Sequence, residues 1–145
     1  MKISTKGRYA LRMLIDLAEQ PDDGYTALKD IADRQGISKK YLEQIVPVLN
    51  RAEMLITNRG AQGGYRLSRS PEKYTVGEIL RVTEGGLSPV GCLETGIERC
   101  PRADECDTLP VWKGLEKVIN DYLDGITLQD ILDQRRERIA SDYVI

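Results

Sequence analysis

The stretch TALKDIADRQGISKKYLEQ, residues 26–44, decides the fold. Its types predict two short helices joined by a tight turn. Thr26 can cap the first, roughly 27–35, and Gly36 suits the left-handed position that closes it. Ser38 caps the second, roughly 39–52, with Leu42, Ile45, Val46 and Leu49 on one face. Ile31 and Ala32 sit on the inner face of the first helix, Ala32 being small enough for close approach. Ile37, Leu42 and Ile45 fill the space beneath. Pro47 removes one backbone donor and is expected to kink the second helix. This is the packing logic of a helix-turn-helix.

The flanks extend it. Upstream, Tyr9, Ala10, Met13, Leu14, Leu17 and Ala18 recur at helical spacing, predicting a helix over 4–19 capped by Ser4 or Thr5. Pro21-Asp22-Asp23-Gly24 ends it as a turn. Downstream, the period changes over 54–68. Leu55-Ile56 and Tyr65-Arg66-Leu67 flank the glycine-rich Gly60-Ala61-Gln62-Gly63-Gly64, which reads as a two-stranded hairpin. Thr75 and Glu78 have capping-box spacing and open a helix to about Glu84, stopped by Gly85-Gly86. Residues 87–107 are irregular and hold every cysteine. An amphipathic helix over 108–124 carries Val111, Leu115, Val118, Ile119, Tyr122 and Leu123. A last helix runs from Thr127 to about Ala140. The fold expected is mainly α: a winged helix-turn-helix (1–84), a cysteine-containing loop (85–107), and a long dimerisation helix with a C-terminal helix (108–145).

Composition narrows the chemistry. The chain has 145 residues, a net charge of −2 and no histidine. That removes Ser-His-Asp and Cys-His catalysis, His-ligated zinc and His proton switches. No enzyme is expected. No apolar run of membrane-spanning length and no signal-like start are present, so a cytoplasmic protein without membrane contact is expected. The charge is asymmetric. Residues 1–70 carry 12 Lys+Arg against 8 Asp+Glu, and 71–145 carry 9 against 15. A basic front half points to nucleic acid as its partner.

The second helix of the pair supplies the contacts. Its exposed N-terminal part holds Ser38, Lys39, Lys40, Tyr41, Glu43 and Gln44, where a recognition helix meets base edges. Lys39 and Lys40 can neutralise phosphates or donate to guanine. Gln44 can bond adenine, and Glu43 can accept from a cytosine amino group. Ser38 can serve the cap instead of DNA. Arg59, just before the hairpin tip, can enter a narrow minor groove. Lys6 joins this DNA-facing set from the first helix. Glycines at the tip leave room for close backbone approach.

Cys92, Cys100 and Cys106 lie within fifteen loop residues and are odd in number, so full pairing within one chain is impossible. Thiolates suit zinc or iron–sulfur clusters, which need a fourth ligand. Candidates are Asp104, Glu105, Asp107, solvent or a second subunit. A redox thiol switch and incidental cysteines are the other readings.

Taken together, the chain resembles the Rrf-type winged-helix transcription regulators, most of all their IscR-type iron–sulfur cluster branch, from residue 1 to about residue 133. The resemblance is carried by the segment from Met1 to Ala10, by Ile31-Ala32 and Arg34 to Ser38, and by Tyr41 to Gln44. It continues through Arg59-Gly60, Gly63 to Tyr65, Val76 to Ile79, the three-cysteine loop followed by Trp112, and Ile126 to Leu128. It implies a homodimer on a double-stranded DNA operator, with cluster-donor proteins as further partners. It implies Cys92, Cys100 and Cys106 as cluster ligands, for 2Fe–2S ahead of 4Fe–4S. It implies Tyr41, Glu43, Gln44 and Arg59 as DNA-facing. The branch carries a histidine ligand shortly after the third cysteine. Leu109 stands there, so Asp107 becomes the candidate fourth ligand. Cluster occupancy, or iron, redox state or nitric oxide acting through it, would then control genes for cluster assembly. The alternative is the same DNA-binding dimer without a cluster, regulated by thiol oxidation or a partner protein.

Overall fold

The structure is a computed structural model that describes residues 1–21 and 23–143. Asp22 of the expected 21–24 turn and residues 144–145 of the C-terminal segment lie outside the described residues. Among the described residues, six α-helices and one hairpin follow in order: α1 (Thr5–Ala18), α2 (Leu28–Gln35), α3 (Lys39–Arg51), β1 (Leu55–Asn58), β2 (Gly64–Leu67), α4 (Val76–Glu84), α5 (Leu109–Asp124) and α6 (Leu128–Asp142). This is the mainly helical winged-helix arrangement expected.

Local chemistry sets most of the helix ends. Ser4, Ser38, Thr75 and Thr127 each accept a backbone N–H inside the first turn of α1, α3, α4 and α6. Gly36 and Gly85 adopt left-handed φ of 62° and 78° just past α2 and α4, which glycine does without a Cβ penalty. Two expectations are corrected. Thr26 does not cap α2; Ala27 holds that position and gives no side-chain bond. The backbone of Thr26 is instead paired with Tyr65, N–H to O at 2.9 Å one way and 2.8 Å the other. Thr75 and Glu78 form half a capping box. Thr75 accepts from the Glu78 N–H, but the Glu78 carboxylate is taken by Arg69 at 2.9 Å. The complete box stands at Thr127 and Asp130. Pro47 is exposed, and α3 is continuous through it.

The main core joins α1, α2 and α3. Ala10, Met13, Leu14, Ile31, Leu42, Ile45 and Leu49 are all fully buried. Burial of the Met, Leu and Ile side chains among them stabilises by about 1.5–3 kcal/mol each. Met54, Tyr74, Ile79 and Leu128 complete it. The buried Tyr74 hydroxyl donates to Met54 O at 2.6 Å and accepts from the Ser68 N–H at 2.9 Å. It ties the wing base to the helices without leaving a polar atom unpaired.

Leu128 enters this core because Thr75 and Thr127 pair as an antiparallel bridge. The Val76 N–H reaches Ile126 O at 2.8 Å, and the Leu128 N–H reaches Tyr74 O at 3.1 Å. So α6 folds back onto the winged helix. A smaller core of Val76, Leu80 and Leu87 receives Ile119 and Leu123 from α5. Among the described residues, no helix is long and apolar enough to cross a membrane.

Candidate nucleic-acid interface and cysteine cavity

The residues predicted to face DNA lie on α1, α3 and the wing. Ser38 stands at the N-cap of α3, and its hydroxyl oxygen accepts from the Tyr41 N–H at 3.1 Å. Its hydrogen stays free to donate. Lys39, Lys40, Glu43 and Gln44 are exposed on the first turns. Lys39 and Glu43 approach to 3.9 Å one turn apart, so the acceptor Glu43 stands beside a cation. Tyr41 is half-buried, edge-on to Tyr9 of α1 with ring centroids 5.3 Å apart. Lys6 lies three residues before Tyr9, on the same face of α1. The Tyr9–Tyr41 contact therefore joins the start of α1 to the start of α3.

Arg59 is exposed at the end of β1, next to Gly60. The hairpin pairs Leu55 with Leu67 and Asn58 with Gly64. Thr57 Oγ1 donates to Asn50 Oδ1 at 3.2 Å, which fastens the wing to α3. The tip glycines have a reason inside the chain itself. A Cβ at Gly63 would stand 2.3 Å from Asn58 O, and one at Gly64 would stand 2.2 Å from Thr26 O.

Sequence reasoning missed the group that holds the two helices together. Asp16, on the buried face of α1, is only 3% exposed. It receives Arg34 twice, from Nε at 3.0 Å and from a terminal nitrogen at 2.7 Å, and Gln35 Nε2 at 3.0 Å. The hydrogen bond to Asp16 raises the Arg34 guanidinium above its ordinary value, against the opposing effect of burial. Arg12 donates to Gln35 and stacks on Tyr9, 5.3 Å from the ring centroid. A signal existed: Asp16 falls three residues after Met13, on the apolar stripe. A buried acid there needs a cationic partner.

The cysteine loop closes on itself. Cys92, Cys100 and Cys106, all free thiols, line one cavity of about 120 Å³. Leu93, Arg99, Ala103, Leu109 and Lys113 form the rest of its wall. The hydrogen bond from the Thr108 hydroxyl, 3.4 Å from Cys106 Sγ, holds that thiol below its ordinary range. Asp107 is exposed and not part of the wall. Asp104 is paired with Arg99 at 2.5 Å. Among the described residues, no three His, Cys, Asp or Glu side chains are gathered tightly enough for a single metal ion.

Beyond the cavity runs α5, in which no residue is buried. The expected apolar face splits in two. Ile119 and Leu123 turn inward to the smaller core. Val111, Leu115, Val118 and Tyr122 remain 60%, 41%, 64% and 67% exposed. Trp112 is half-buried at the first turn.

Residues 3–134 match the family described as "Rrf2: Iron-dependent Transcriptional regulator". The chain is 41% identical over 131 residues to the HTH-type transcriptional regulator CymR of Bacillus subtilis, covering 90% of this chain and 89% of that protein. It is 35% identical over 142 residues to the HTH-type transcriptional regulator IscR of Aliivibrio salmonicida, covering 98% and 83%. The solved structure titled "The Structure of CymR (YrzC) the Global Cysteine Regulator of B. subtilis" superposes with a TM-score of 0.75 at 39% identity, covering 92% of this chain and 98% of that one. The structure titled "T. potens IscR" gives 0.72 at 39% identity, covering 95% and 90%. These relatives are regulators of transcription and not enzymes.

Proposed function

The chain belongs to the Rrf2 family of transcriptional regulators, and on that premise we propose that it is a homodimeric DNA-binding regulator that senses iron–sulfur cluster status through its cysteine loop. The observation that carries this is the convergence of Cys92, Cys100 and Cys106 on one cavity.

The donor set fits a cluster better than a lone ion. A single zinc needs every donor within about 2.3 Å of one point, and no such gathering is present among the described residues. A cluster spreads its thiolates over several irons. Arg99 and Lys113 in the wall would offset the negative charge of thiolate ligation. Cys92, Cys100 and Cys106 would hold the group, 2Fe–2S ahead of 4Fe–4S. We assign Asp107, beside Cys106 but outside the wall, as the fourth ligand, since Leu109 cannot ligate. A non-thiolate ligand makes a cluster more labile, which suits a sensor. When bound, such a group supplies a charge and a ligation state that respond to iron, oxidants or nitric oxide. Cluster-donor proteins would load it.

The DNA-facing set is Lys6, Ser38, Lys39, Lys40, Tyr41, Glu43, Gln44 and Arg59. The basic front half supplies phosphate affinity, and Glu43 and Gln44 read bases. Val111, Leu115, Val118 and Tyr122 are the face for a second copy. Two-fold symmetry would present two recognition helices to two half-sites.

A second reading rests on the lowered Cys106 thiol and on kinship with a protein titled a global cysteine regulator. It is the same dimer without a cluster, regulated by thiol oxidation or by a partner protein.

Anaerobic purification followed by iron, sulfide and absorption measurements separates the two. About two irons and two sulfides per chain with visible bands support a 2Fe–2S sensor, and about four of each a 4Fe–4S one. No iron after reconstitution, with every cysteine alkylated freely, overturns the cluster reading and leaves the second.

A further inference from the structure

We infer that Glu84 is a positioning residue that fastens the first turn of α1 to the start of the cysteine loop, so that changes in the loop reach the DNA-facing end of α1 directly. The inference rests on the loop-sensing reading above and deepens it.

The contact is a short relay. Ser4 Oγ donates to Glu84 Oε1 at 2.6 Å, and the Ser4 N–H points to the same oxygen at 3.2 Å. The same hydroxyl accepts the Gly7 N–H at 3.2 Å, which makes Ser4 the cap of α1. With its hydrogen committed to Glu84, the hydroxyl turns its lone pairs toward the helix amide. The carboxylate also supplies what α1 lacks, since its first turn holds no acidic residue. Negative charge at that end favours the helix through its dipole.

Gly7 is fitted to the contact. It sits inside a helix, where glycine is disfavoured relative to alanine. A Cβ there would stand 2.2 Å from Glu84 Oε1 and 3.2 Å from Leu80 Cδ2. The missing side chain is the space the carboxylate occupies.

Position in the chain gives the contact its role. Glu84 is the last residue of α4. Gly85 and Gly86 follow with φ of 78° and 145°, a backbone that only glycine adopts freely. The chain then runs through buried Leu87 to Cys92. At the other end of the relay, Lys6 lies in the turn that Ser4 caps. Two side chains thus separate the glycine pair that opens the loop from the surface assigned to DNA.

The test uses the full chain, reconstituted anaerobically with ferrous iron and sulfide or left without them. Two readouts are taken: exchange of the backbone amides of residues 4–8, and affinity for a duplex selected by the wild-type protein from a random pool. In wild type, the loaded and unloaded affinities are expected to differ by at least about tenfold, within the usual range for coupled sites. Glu84→Ala is expected to retain wild-type iron content, expose the residue 4–8 amides, and shrink the ratio to about threefold or less. A merely structural role would weaken both affinities alike and leave the ratio unmoved; a ratio that persists in Glu84→Ala overturns the inference. As a second variant, Gly7→Ala should drive the carboxylate off Ser4 and shrink the ratio in the same way. Adding Glu84→Ala to it should raise the Tm, and a further fall counts against the contact. If wild type takes up no iron, the cluster reading fails by itself. N-ethylmaleimide on the cysteines then serves as the loop perturbation. Altered exchange at residues 4–8 in wild type but not in Glu84→Ala sustains the relay without a cluster, and unaltered exchange in wild type overturns it.

Discussion

The winged helix and the segment after Gly86 solve the same problem of burial in different ways. In the first, α1, α2 and α3 cover one another, and the acid that falls on their inner face finds Arg34 and Gln35. In the second, α5 buries no residue at all, and three free thiols line a small cavity whose wall also holds Arg99 and Lys113. The first half has a closed core, which Leu128 of α6 completes. The second presents an apolar stripe and a soft-donor cavity that no other part of the described chain covers. On the proposed reading, the segment that responds is completed by a cluster or a second copy, and the segment that reads DNA holds its shape by itself.

If that contrast is sound, the largest loss of stability should come from the first half. Ile45→Ala removes a fully buried side chain where α3 meets the core. It should cost about 2–5 kcal/mol, measured by urea unfolding followed by helical circular dichroism. A cost below that of an exposed-site change such as Val111→Ala would break the contrast. Tyr74→Phe comes next. It strips the donor to Met54 O and the acceptor of the Ser68 N–H. The Ser68 N–H keeps Met54 O as a partner at 3.3 Å, so the loss is that of the hydroxyl's own hydrogen bonds, about 0.5–1.5 kcal/mol each, and the same unfolding curve reads it.

Legibility divides along the same line. The ends of α1, α3, α4 and α6 could be read because each begins at a hydroxyl residue whose bond is local, and Gly36 and Gly85 close α2 and α4 by their backbone freedom alone. Thr26 misled because its competitor for the backbone is Tyr65, far along the chain. The two faces of α5 were merged because periodicity reports apolar residues without saying which neighbour covers them. Ile119 and Leu123 go inward only because Val76 and Leu80 stand opposite. At the candidate site, the cysteine spacing was visible but its closure into one cavity was not. Nor was the exposed position of Asp107, since both depend on the path of an irregular loop. Glu84 was legible as the end of a helix. Its bond to Ser4 spans 80 residues and follows from tertiary packing alone.

The stripe on α5 sharpens the contrast from the other side. Val118→Asp places a charge in the middle of the face formed by Val111, Leu115 and Tyr122. Assembly through this face predicts a dimer dissociation constant raised at least about tenfold, or ~1.4 kcal/mol, by sedimentation equilibrium. The Tm of dilute protein should barely move, because the side chain is 64% exposed within one chain. A drop in Tm comparable with that of Ile45→Ala would mean that the stripe belongs to the core.

The smallest effect lies at the seam between the halves. Arg81 on α4 reaches Asp124 at 2.8 Å and Asn120 at 2.7 Å on α5. Gly77 makes room, since a Cβ there would stand 2.1 Å from Asp124 Oδ1. The hydrogen bond from Arg81 holds the Asp124 carboxyl below its ordinary value. A lowered carboxyl binds fewer protons folded than unfolded at the same pH. Its stabilisation is therefore fully present above the ordinary value of about 3.9 and fades as pH falls through the lowered one. Both partners are well exposed, at 38% and 45%, so solvent screening keeps the contribution under about 1 kcal/mol. Asp124→Asn should remove that part of the pH dependence and leave the rest of the acid-unfolding curve in place. The change should appear in α5 before α3, read by amide exchange at pH 3–5, because α5 is held by this seam and the half-buried Ile119 and Leu123, while α3 is held by fully buried side chains. Equal loosening of α3 and α5 would show that the two halves unfold as one unit, and the distinction between a closed half and a completed one would then belong to function alone.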